Sequence, residues 1–169
     1  MKSYLVLMPF FMEYEKSICN EFKKRYEVTL YDNEKDLYEI DKYIQDRFWL
    51  RVLRQFFLYI KKLDVFYEHM ENKFADKNLD ILLRKKYDEI LCINGHLLAD
   101  KVYRSLKENN PDTKMRLYLW DDAKILRKNT HFKYFDEVMS FNMDECKKYG
   151  FKYMPMFTQH EWIGHAKQN

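Results

Sequence analysis

Tyr87-Asp88-Glu89-Ile90-Leu91-Cys92-Ile93 is a short apolar run entered from a charged loop, and Asn94-Gly95-His96 breaks it. Leu97, Leu98, Val102, Tyr103 and Leu106 then recur at helical spacing as far as Asn109-Asn110-Pro111-Asp112. There proline withholds a backbone donor and restricts the residue before it, so the helix stops. Met115-Arg116-Leu117-Tyr118-Leu119-Trp120 is a second strand, ending at Asp121-Asp122. Strand, crossover helix and strand make a βαβ unit, whose strands run parallel. Asn94-Gly95 and Asp121-Asp122 therefore arrive at one carboxyl edge, where open α/β sheets hold ligands.

Working outward, Tyr4-Leu5-Val6-Leu7-Met8 reads as a buried strand closed by Pro9. A helix follows from Met12 to Arg25, with Glu13 and Glu15 at its start and Lys23, Lys24 and Arg25 at its end, charges that complement the helix dipole. Val28 to Tyr31 is the next strand. The first turn, Met8-Pro9-Phe10-Phe11, has none of the glycines of a dinucleotide fingerprint. Downstream, a short helix is expected over Asp121 to Thr130 and a strand over Phe135 to Phe141. Asn142 then caps a helix that ends at Gly150, and a last strand runs from Phe151 to Phe157. The expectation is an α/β, Rossmann-like three-layer domain spanning residues 1–157. It has a mostly parallel sheet of about five or six strands, a usual size, one long helix and a polar tail at 158–169.

The long helix is expected in the strandless stretch from Asp32 to Lys86. Trp49, Leu53, Phe56, Ile60, Leu63, Tyr67, Met70 and Phe74 follow one another in alternating steps of four and three, the spacing of a heptad seam. Leu50, Val52, Phe57, Tyr59 and Phe66 widen the stripe, and Arg47, Arg51, Arg54, Lys61 and Lys62 flank it. Three readings stand: a helix packed on the sheet, a patch for a membrane surface or lipid acceptor, or a dimerisation seam. Trp49, Arg51, Arg54 and Phe57 are the candidates for a partner or membrane surface.

A chain of 169 residues with 47% hydrophobic and 34% charged residues suits one folded domain, so general disorder is excluded. A net charge of +3, from 30 basic and 27 acidic residues, is no nucleic-acid footprint. Three glycines leave little material for a phosphate-cradling loop. The three isolated cysteines form no C-x-x-C pair, which points to a reducing, cytoplasmic setting, at the inner membrane surface if the aromatic stripe meets lipid. The apolar stretch Tyr4 to Met12 lacks the features of a signal peptide, and no run reaches the length of a membrane span.

At the carboxyl edge the candidate ligand-binding residues are Pro9, Asn94, Gly95, His96, Asp121 and Asp122. Turn geometry alone accounts for Asn94-Gly95-His96, and a carboxylate capping the next helix accounts for Asp121-Asp122. The functional alternative sets the turn amides and His96 toward a ligand, with Asp121 or Asp122 on a sugar hydroxyl or acting as a base. Asp121-Asp122 is not a D-x-D metal arrangement. His160 and His165 are five apart, on different faces of any helix, so no zinc site is expected. No catalytic residue is assigned.

Several pieces resemble the N-terminal half of bacterial glycosyltransferase-like proteins of capsule and lipopolysaccharide biosynthesis, which are similar to the spore-maturation glycosyltransferases. They are Met8-Pro9-Phe10-Phe11-Met12-Glu13-Tyr14-Glu15, the Lys86-Tyr87-Asp88 approach to Asn94-Gly95, Leu119-Trp120-Asp121-Asp122, Ser140-Phe141-Asn142 and Lys148-Tyr149-Gly150-Phe151 through Met154-Pro155-Met156-Phe157. The resemblance implies a GT-B-like arrangement of two Rossmann-like domains, with glycosyl transfer from a nucleotide sugar. This chain would be the acceptor-side domain, with Asn94, Gly95 and Asp121 on motif positions. It would hold no cofactor itself, would meet a sugar or lipid-linked acceptor, and would be incomplete without a nucleotide-binding half. The alternatives are a non-catalytic interaction or dimerisation module using the 49–74 helix, alone or with a partner chain, and a small-molecule-binding flavodoxin-like domain. An exposed stripe would favour an interaction, and a buried one with an open carboxyl edge would favour a ligand.

Overall fold

The computed structural model describes residues 1–11, 13–95, 98–123 and 129–156. The elements are β1 (Ser3–Met8), α1 (Tyr14–Lys23), β2 (Glu27–Asp32), α2 (Lys35–Gln45), α3 (Phe48–Tyr59), α4 (Leu63–Leu82), β3 (Glu89–Ile93), α5 (Asp100–Asn109), β4 (Lys114–Leu119), a 3-10 turn (Asn129–Tyr134), β5 (Glu137–Ser140), α6 (Met143–Tyr149) and β6 (Lys152–Tyr153). Residues 124–128 of the expected helix over 121–130 and the whole tail at 158–169 fall outside the described residues, as do His96 and Phe157. The last strand is two residues long where seven were expected.

Among the described residues six strands form one parallel sheet, in the order β2-β1-β3-β4-β5-β6. The α/β expectation of a parallel sheet flanked by helices holds, and the order is the flavodoxin-like variant of the doubly wound fold. The chain steps outward from β1 to β2 and then back past β1 to β3, so the winding direction reverses between β1 and β3. Right-handed crossovers then send α1 to one face of the sheet and the later helices to the other.

Side chains alternate accordingly, as the pleat requires. Leu5, Leu7, Ile90, Cys92, Met115 and Leu117 face a core completed by Ala75, Leu79 and Leu82 of α4 and by Val102, Tyr103 and Leu106 of α5. Tyr4, Val6, Met8, Ile93, Tyr118 and Met139 face the other way, where Ile18 and Phe22 of α1 pack against them. Each fully buried leucine or isoleucine on these strands contributes about 1.5–3 kcal/mol.

The stripe from Trp49 to Phe74 is not one helix. It is cut into α3 and α4 at residues 60–62, a correction to the expected helix over 49–74, and the longest helix is α4 with 20 residues. Lys61 takes φ 56°, in the left-handed region. Its amide donates to Leu58 O at 3.1 Å and that of Lys62 to Phe57 O at 2.9 Å. These two bonds form a Schellman stop, made here without the glycine that usually announces one. The chain then folds back, and α2, α3 and the start of α4 enclose a satellite core of Ile40, Ile44, Leu50, Phe66, Tyr67 and Met70.

Candidate functional site

The carboxyl edge brings Pro9, Asn94, Gly95, Asp121 and Asp122 to one side of the molecule. Asn94 sits at φ 51°, which asparagine tolerates better than most residues. Its amide donates to Tyr118 O at 3.1 Å. Its side-chain Oδ1 accepts from Trp120 N at 2.8 Å, and its Nδ2 donates to Asp121 Oδ2 at 2.8 Å. Asn94 thus ties the end of β3 to the end of β4. Asn142 repeats the device one strand further on: its Nδ2 donates to Asp122 Oδ1 at 2.8 Å, while its Oδ1 caps α6. On the other side, buried Asn33 donates from Nδ2 to Ile93 O at 2.9 Å, joining β2 to β3 across β1. Pro9 is buried, whereas Phe10 and Phe11 reach solvent.

Gly95 is closely packed, so a side chain there would force its neighbours to shift. A Cβ there would stand 2.8 Å from a methyl of Leu117 and 3.2 Å from Cys92 Sγ. Its carbonyl accepts from the Tyr103 hydroxyl at 2.6 Å and from His131 Nδ1 at 2.8 Å. The other ring nitrogen of His131 is 2.6 Å from Asp100 Oδ1. With its ring protonated, His131 would form a buried ion pair with Asp100. Burial pushes the Asp100 carboxyl up, but the His131 charge, the Tyr134 hydroxyl and Lys133 outweigh it and leave it below its usual range. Beside this network burial pushes the Cys92 thiol up to about 12, against its contacts to Tyr103 and Asn33, so the sulfur stays protonated and unreactive.

Sequence reasoning missed the residues that build this edge. Asn33, Asp100 and His131 carry no motif, and the buried Glu145, whose place three residues after the Asn142 cap marks it as a capping carboxylate, instead accepts from Ala123 N at 2.6 Å and Ser140 Oγ at 3.1 Å. Tyr103 was legible only as one member of an apolar stripe. Carboxylates crowd the rim: Glu34 is held above the ordinary range first by partial burial, then by Asp32 and Asp121. That repulsion disfavours a phosphate-bearing ligand beside β2 and β4. Among the described residues no group of three or more His, Cys, Asp or Glu side chains could hold a metal ion.

A groove of about 880 Å³ lies away from this edge, on the sheet face that α1 shares. Helix α1 packs on one part of that face and the segment after β6 on another, where the Tyr118 hydroxyl donates to Pro155 O at 2.9 Å, and Leu91, Ile93, Tyr118 and Met139 form the apolar floor between them. At the amino-terminal end of the strands Arg116 bonds Glu89 and, at 3.1 Å, Glu137.

The third region is α3. Nine of its twelve residues are apolar, yet only Leu50 is buried, with Phe57 partly so. Phe48 is 73% exposed, Trp49 60%, Phe56 55% and Tyr59 85%. Arg47 stacks on the Tyr43 ring at 3.6 Å, and Arg51 and Arg54 lie 5.8 and 5.9 Å from the rings of Phe48 and Tyr67. Of the surface candidates, then, Trp49 and Arg51 are open, Arg54 is half-buried and Phe57 faces the satellite core. Among the described residues no helix is long and apolar enough to cross a membrane.

No protein-family model and no curated protein matches the chain. Among solved structures the chain is similar to a response regulator from Burkholderia pseudomallei, crystallised with a phosphorylated aspartic acid, calcium ion and citrate. The identity is 11%, the match covers 99% of this chain and 74% of that one, and the TM-score is 0.47. The expectation of an acceptor-side glycosyltransferase domain is corrected here. The strand order β2-β1-β3-β4-β5-β6 goes with the flavodoxin-like alternative instead.

Proposed function

We propose that the chain is a non-catalytic interaction domain, a flavodoxin-like scaffold that presents α3 as its docking element. The observation that carries this reading is a helix apolar on nearly every side with one buried residue, Leu50. Helices of that composition are ordinarily covered. Three of the candidate polar residues at the carboxyl edge, Asn94, Asp121 and Asp122, are bonded within the protein, which favours an interaction over chemistry there. The test is the double substitution Val52→Ser with Phe56→Ser. A docking face lies outside the monomer's core, so the variant should keep its circular dichroism and melting temperature while losing the binding of an apolar reporter dye. A cooperative loss of structure would make the face part of the fold and end this reading.

A second reading, small-molecule binding, is favoured by the groove floored by Leu91, Ile93, Tyr118 and Met139. Its occupant would have an apolar body and no need of a phosphate cradle. A ligand that binds only the folded state raises the melting temperature with concentration. Met139→Trp, which fills the groove, should abolish any such rise, and a rise that survives the substitution would place the ligand elsewhere.

A further inference from the structure

Resting on the interaction reading, we infer that the surface α3 docks to is an anionic lipid bilayer, with the helix lying flat in the interface. Phe48, Trp49, Val52, Phe56 and Tyr59 form one outward face. From Arg47 to Leu63 there are five cations and no carboxylate, in a chain whose charges otherwise nearly balance. Asp41 shares a small pocket with Arg51 and Arg54, but it accepts from the Tyr67 hydroxyl at 3.1 Å. Arg51 flanks the outward face, and Lys61 and Lys62 close its end. An aromatic face edged by cations is the pattern of helices that lie among headgroups, with rings at the acyl boundary and cations on lipid phosphates. Tryptophan and tyrosine suit that depth because one end of each ring is apolar and the other polar.

Charge and shape choose between this occupant and its rivals. Two copies meeting through α3 would bring their cations face to face, a repulsion unrelieved by any carboxylate in the segment. An acidic protein would meet the charge, but it would have to supply a groove for a ridge of helix about 18 Å long. A bilayer needs no groove, because it deforms around the ridge.

The experiment is flotation of the purified full chain with vesicles of equal parts phosphatidylglycerol and phosphatidylcholine, beside vesicles of phosphatidylcholine alone. Expected is binding to the anionic vesicles that weakens between about 0.1 M and 1 M salt, as screening shortens from about 10 Å to 3 Å. A blue shift of tryptophan emission on binding should disappear in Trp49→Phe. Lys61→Gln with Lys62→Gln should lower affinity about 20- to 30-fold, at roughly fivefold per cation near an anionic surface. Those two lysines touch no core, so the variant reports on lipid even if apolar substitutions disturb the fold.

Absence of binding, equal binding to neutral vesicles, or binding indifferent to these variants would overturn the lipid assignment. So would saturable binding to polyglutamate without vesicle binding, which would indicate an acidic protein, or a concentration-dependent dimer abolished by Val52→Ser with Phe56→Ser. In each of these cases the interaction reading survives, since it fails only if the face proves to be part of the core.

Discussion

Helices α3 and α4 carry the two halves of one apolar run, and the tertiary structure treats them in opposite ways. In α4, Phe66, Tyr67 and Met70 are buried in the satellite core, and Ala75, Leu79 and Leu82 continue into the core beneath the sheet. In α3, Leu50 and Phe57 face inward while Phe56 and Trp49, on the same heptad line as Met70, face solvent. Alternating steps of four and three say that side chains share a face. They say nothing of what covers that face. The Schellman stop at Ile60–Lys62 turns α3 back on itself, so α4 reaches the sheet and α3 reaches only α2 and α4.

The sharpest way to break this contrast is to truncate one ring from each half. Phe66→Ala should destabilise the fold by about 3–5 kcal/mol, the usual cost of emptying a core phenylalanine site. Phe56→Ala should stay within about 0.5 kcal/mol, as surface substitutions do. Comparable losses in urea denaturation would mean that α3 is as much core as α4.

A smaller effect concerns what anchors α4 to α2. Asp36 on α2 is buried, takes bonds from Asn78 of α4 and, at 3.4 Å, from the Tyr31 hydroxyl, and is raised to about 6 by burial and then by Glu39. A carboxyl raised above its unfolded value of about 3.9 favours the fold while protonated. Its contribution is therefore full below about pH 4 and lost as pH rises through about 6, amounting to roughly 2–3 kcal/mol at most. Asp36→Asn removes that titration, and the Asn78 amide can turn to present its oxygen. The stability difference between variant and wild type should shift in the variant's favour by about that amount between pH 4 and pH 7.5. A difference constant with pH would show that Asp36 does not titrate in this window.

The smallest effect is at the break itself. Lys61→Gly relieves a left-handed backbone that costs a side-chain-bearing residue about 1 kcal/mol, so it should stabilise the fold by up to about that amount. A loss of stability would mean that the Lys61 side chain has a role the backbone argument omits.

Much of the fold was legible because β1, β3 and β4 are buried on both faces, so each reads as an unbroken apolar run. Asn142 and Gly150 fell at the two ends of α6, where a capping side chain and a left-handed residue were expected, and Gly150 takes φ 72°. The helix break was illegible because Lys61 stands where glycine usually does. The polar scaffold of the carboxyl edge was equally hidden. Asn33 and Ile93, or Gly95 and His131, meet only after the sheet has assembled, 60 and 36 residues apart in the chain.

The sequence by itself determined that this is a parallel α/β domain, because strand and helix periods and their punctuation are local properties of the chain. It also determined that an aromatic, cationic stripe exists between Arg47 and Phe74. Only the tertiary structure decided that the strand order is flavodoxin-like, that Asn94 and Asp121 bond each other, and that the stripe divides into a buried half and an open one. Those outcomes depend on which surfaces meet across dozens of residues, and burial is a property of the assembled neighbours rather than of the residues that carry the pattern.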